Sequence, residues 1–159
     1  MAIATPERAG AAAALLPDVL ARLGEAWVRE ASTSMAPFLR PGDHLLLRPA
    51  AAPELSRGMV VAYRRWNRVV VHRLVGRDGQ GLVVKGDDTE ATERISAGDV
   101  LARVVAVRRP SGRTIRLDRF PWPALGRLFA ALSLGAGRTG SVRSRAARLP
   151  LRVVGRLAG

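Results

Sequence analysis

A chain of 159 residues has room for one domain with appended segments and a modest core, and a second independent domain is not expected. Its formal charge is +13, from 26 Lys plus Arg against 13 Asp plus Glu, and Lys85 is the only lysine. With no cysteine and only His44 and His72, the chain offers no disulfide, no thiolate nucleophile and no histidine-rich zinc site, so neither metal nor cofactor is expected.

The first apolar stretch, "AGAAAALL", stops at Pro17 and Asp18. It is too short for a bilayer span and too weakly hydrophobic for a secretory signal, so a cytoplasmic protein is expected. Val19, Leu20, Leu23, Ala26 and Trp27 recur at helical spacing after Pro17 and predict a short amphipathic helix over 18–30, with "AWVRE" as a strand being the alternative. From 43 to 117 the texture becomes short β-branched runs: "DHLLLR", "GMVVAYRR", "RVVVHRLVG", "GLVVK", "DVLARVVAVRR" and "RTIRLD". Turn and loop compositions separate them, among them "RRWNR", "GRDGQG" and "KGDDTEATERISAGD". The expectation is a mainly β, antiparallel domain over 31–118, preceded by a helical segment 1–30.

After Asp118 the chain carries eight arginines and no acidic residue. "PWPALGRLFAALSLGAG" predicts a helix with Leu125, Leu128, Phe129 and Leu132 on one face, and "SVRSRAARLPLRVVGRLAG" a second basic amphipathic piece broken at Pro150. Segment 119–159 is therefore read as a basic helical tail, either a solvated arginine face or a surface for peripheral contact with an anionic membrane. Nucleic acid is the weaker partner reading, because only 4% of residues are aromatic and the β region offers no pair of stacking platforms.

Chemistry concentrates in "STSMAPFLRPGDHLLL", residues 32–47. A serine hydroxyl becomes a nucleophile when a base takes its proton and donors stabilise the oxyanion, and it is best presented on a stiff turn beside strands. Pro37, Pro41 and Gly42 stiffen the turn that carries Ser34. The candidate base is His72, at the centre of "VVVHRLV". The acidic loop "KGDDTEATE" supplies Asp87, Asp88, Glu90 and Glu93 to orient its imidazole. The bland reading of the same residues is a capping serine and a packed strand histidine.

Their order along the chain favours the chemical reading. "SxSMxPxLxxGD", "GxVVxY", "VVHR", "VKGD" and "GDVLARVV" together resemble the signal-peptidase-like serine peptidases over about residues 30–109, half of the chain. The matching branch, with histidine where the commoner bacterial enzymes have lysine, is that of the archaeal and endoplasmic-reticulum types. The resemblance implies a partly open antiparallel β-barrel, with Ser34 as nucleophile and His72 as general base. It implies Ser32 and the Ser34 backbone N–H as oxyanion donors, and an extended peptide substrate with small residues before the scissile bond. Two departures stand out. Glu93 occupies the counted position of the branch's aspartate, and Asp88 that of a common asparagine, so the third member stays open among Asp87, Asp88 and Glu93. The second departure is the missing membrane anchor.

Three functions are thus expected to compete: a Ser-His endopeptidase acting on a leader or partner segment, an inactive peptide-binding domain of the same fold, and an anionic-surface binder.

Overall fold

The computed structural model describes residues 6–136. Eight strands form one curled, half-barrel antiparallel sheet flanked by two helices, so the chain is mainly β as expected. In chain order the strands are β1 (Ala26–Arg29), β2 (His44–Pro49), β3 (Val60–Arg65), β4 (Arg68–Asp78), β5 (Gly81–Lys85), β6 (Thr92–Ile95), β7 (Val100–Arg108) and β8 (Thr114–Arg116). The spatial order is β1-β2-β7-β3-β4-β5-β6, and β8 pairs with the end of β7 beyond the reach of β3.

The central strands are apolar in unbroken runs because both of their faces are covered. Along β3, Val60 and Ala62 enter one core cluster with Leu45, Leu47, Val104, Leu16, Leu20 and Phe129, while Val61 and Tyr63 enter another with Leu74, Leu82, Val84 and Ile95. Alternation of side chains across a strand makes this partition automatic. Met35, Phe38 and Leu39, from the turn that carries Ser34, are buried in the first cluster, so that turn is anchored from beneath.

Helix α1 spans Pro6–Leu23, not 18–30. It starts at Pro6, runs through the alanines, whose helix propensity is high, and continues through Pro17 because Leu16 and Leu20 dock on the sheet on either side of it. It ends at Gly24, which adopts φ +72° and donates its N–H to Leu20 O, a left-handed stop. The residues after this stop form β1, the alternative reading of "AWVRE", so the sheet begins within 1–30. A second correction is β6, which lies in a stretch expected to be loop. It is an edge strand with Ile95 as its one buried side chain, so its sequence carries almost no apolar alternation.

Helix α2 (Trp122–Ala136) lies where a helix was expected, but its buried face is turned. Phe129, Ala130 and Ser133 are buried and Leu125 packs on the core, whereas Leu128 is half-exposed and Leu132 is exposed. The close crossing of Gly126 over Gly58 fixes this rotation, since a Cβ on Gly126 would sit 2.6 Å from Gly58 O. The basic piece "SVRSRAARLPLRVVGRLAG" lies outside the described residues. Among the described residues no helix is long and apolar enough to cross a membrane.

Candidate active site

The turn bearing Ser34 is held by a set of buried polar contacts. Asp43 is buried; its carboxylate accepts from Arg40 N (2.8 Å) and pairs with Arg109, whose guanidinium also donates to Phe38 O (2.9 Å). The backbone of Glu30 bonds to both Asp43 and Gly42, which ties the end of β1 to the same turn. The Glu30 carboxylate, itself buried, accepts from Ser32 N (2.7 Å) and Ser32 Oγ (2.8 Å). Ser32 Oγ lies 3.2 Å from Ser34 Oγ. A carboxylate only accepts, so the Ser32 proton is committed to Glu30 and the Ser34 hydroxyl is left to donate to Ser32.

The turn after β5 closes on Ser34 from the other side. Asp88 N donates to Ser34 O (2.9 Å), and Gly86 approaches so closely that a Cβ there would sit 2.6 Å from that oxygen. Lys85, the last residue of β5, pairs across the ladder with Arg73, the neighbour of His72. Backbone pairing thus carries the serine turn and the His72 segment to one end of the β4–β5 pair.

His72 is half-buried in β4 opposite Val61. Its Nδ1 is 3.0 Å from Tyr63 Oη, and Tyr63 Oη donates to Glu93 Oε2 at 2.8 Å. Arg65 pairs with the same Glu93 oxygen at 2.5 Å. Burial pushes the imidazole below its ordinary 6.5, and Arg65 adds to that lowering; the charges of Glu93, Asp87 and Glu30 pull the other way. The tyrosine hydroxyl is pushed above its ordinary 10, first by burial and then by Glu93, so it stays protonated. No hydrogen bond joins Ser34 to His72: Ser34 Oγ is with Ser32, and the ring nitrogen engaged on His72 is Nδ1.

The three acids read as candidates for orienting His72 are placed very differently. Asp87 is buried and bonded twice by Arg73, at 2.8 Å from Nε and 2.6 Å from Nη2. Asp88 is exposed and contributes its backbone N–H. Glu93 reaches His72 through Tyr63. Tyr63, Glu30 and Arg73 stand outside the sequence-predicted site. Tyr63 had a signal available, since it is the only tyrosine of the chain and lies two residues beyond the position that pairs with His72. Among the described residues no group of three His, Asp or Glu side chains could hold a metal ion. A pocket between β3 and α2, lined by Arg57, Gly58, Arg103, Trp122 and Arg127, includes neither Ser34 nor His72.

No protein-family model matches the chain, and no curated protein matches it.

Proposed function

We propose that the protein is a serine endopeptidase with a half-barrel of the signal-peptidase type, in which Ser34 is the nucleophile and His72 the general base. The observation that carries this reading is a half-buried histidine, engaged through Nδ1, on the strand whose β5 partner leads into the turn that bonds the Ser34 carbonyl. In the reaction Ser34 Oγ attacks the peptide carbonyl as its proton passes to His72 Nε2. The imidazolium then gives that proton to the leaving amine, and water hydrolyses the resulting ester by the same route. The Ser34 N–H donates to the oxyanion, and Ser32 joins it when its hydroxyl turns away from Glu30. The substrate is an extended peptide added along a sheet edge, and edge strand β1 runs directly into the Ser32–Ser34 segment. Any contact with an anionic membrane would run through the arginines after Asp118 and be weakened by salt.

The test is digestion of a library of unstructured peptides, with product ends identified by mass spectrometry and the rate followed against pH. Cleavage is expected after small residues. Because protonation removes the base, kcat/KM should be flat near pH 7 and fall tenfold per pH unit on an acid limb whose midpoint lies below 6.5. An acid limb centred well above 6.5 would contradict His72 as the base. Tight binding of the same peptides without cleavage would make the protein a peptide-binding domain instead.

A further inference from the structure

We propose that Tyr63 is the positioning residue that sets the tautomer of His72, and that Glu93 acts on the imidazole only through the Tyr63 hydroxyl; the inference rests on the Ser34–His72 reading above. Tyr63 is fully buried on β3, one diagonal step across the ladder from His72, and the two rings lie 5.9 Å apart, tilted by 56°. Its oxygen is 3.0 Å from His72 Nδ1 and 2.8 Å from Glu93 Oε2. A phenol has one proton to give. Glu93, paired with Arg65 at 2.5 Å, is a carboxylate and can only accept, so the phenol proton points at Glu93. The remaining contact then requires the phenol oxygen to accept from His72. Nδ1 therefore carries the hydrogen, and Nε2 keeps the lone pair that a general base needs.

The proton path is closed at the imidazole. When Ser34 transfers its proton to Nε2, the Nδ1 hydrogen stays in place, and neither Tyr63 nor Glu93 changes its protonation. The hydroxyl spacer also sets how strongly the imidazolium is stabilised. A carboxylate in direct contact would raise the basicity of the ring, whereas a charge relayed through a neutral phenol, and shared with Arg65, leaves burial in control.

The experiment uses the full chain with 15N-labelled histidine. The only two histidines are His44 and His72, so His44→Gln assigns the signals. Wild-type protein at pH 8 should give His72 shifts of the tautomer protonated at Nδ1. Tyr63→Phe should give a mixture of tautomers and a kcat lower by up to about 10^4-fold, the loss that the wrong tautomer of a catalytic histidine brings, with little change in KM. Glu93→Gln, at a less buried position, serves if Tyr63→Phe does not fold; its amide can donate to the phenol and so should also release the tautomer. A tautomer unchanged in both variants, or a wild-type His72 protonated at Nε2, overturns the proposal. The Ser-His reading is judged separately, by Ser34→Ala and His72→Ala in the same assay. The tautomer signal decides the role of Tyr63 whichever way that assay falls.

Discussion

Ser34→Ala and His72→Ala should each lower kcat/KM on the order of 10^4- to 10^6-fold, and the double variant should be no more than a few-fold worse than either. Nucleophile and base perform one step. Without the hydroxyl there is nothing for the imidazole to deprotonate, and without the imidazole a serine hydroxyl near neutral pH is too weak a nucleophile to matter. Losses that act through one step do not add, whereas two independent contributions would multiply to a far larger loss. Both side chains are only part-buried and neither fills the core, so the variants should keep the wild-type circular dichroism. A double variant whose loss equals the product of the single losses would show that Ser34 and His72 do separate work.

The second large effect concerns stability. Asp87→Ala should lower the free energy of unfolding by about 3–5 kcal/mol, because it strands a buried guanidinium. Arg73 donates to Asp87 through Nε and Nη2 and to Gly58 O through Nη1 (2.9 Å), and the two side chains are 3% and 1% exposed. Its guanidinium also lies over Phe38 at 5.0 Å and Phe129 at 5.6 Å, linking the serine turn to α2. Removing the acid leaves that charge with neither water nor a counter-ion. Replacing both partners together by apolar residues, as in Arg73→Met with Asp87→Leu, should recover much of the loss, since the pair itself bears a desolvation cost comparable to its attraction. Denaturant titration of the single and double variants decides this. An Asp87→Ala protein as stable as wild type would contradict the structural role.

These contacts explain why some of the site was legible in the sequence and some was not. Ser34, His72 and the strands that carry them follow from short-range signals, namely a proline-bracketed turn and β-branched runs ending in turn residues. Which acid meets which base is a long-range matter. Asp87 and Glu93 stand six positions apart in one acidic stretch of the sequence, but Asp87, in the turn after β5, meets Arg73 and Glu93, on β6, meets the far end of Tyr63. Nothing local distinguishes them. Tyr63 stands in the sequence only as part of the strand run "GMVVAYRR" and the motif "GxVVxY", because alternation places a residue on a face without saying what its hydroxyl touches. Edge strand β6 and the true extent of α1 escaped for a related reason. An edge strand needs little apolar pattern, and a helix passes a proline when docked leucines hold it on both sides.

Attack by Ser34 Oγ can be decided by trapping its ester. The full chain is mixed with an activated ester of a short peptide ending in alanine, quenched in acid within one turnover, digested and mapped by mass spectrometry. The acyl mass should appear on the peptide containing Ser34, be absent from Ser34→Ala and be strongly reduced in His72→Ala. Acyl label on another residue in wild type, or undiminished hydrolysis by Ser34→Ala, would contradict it.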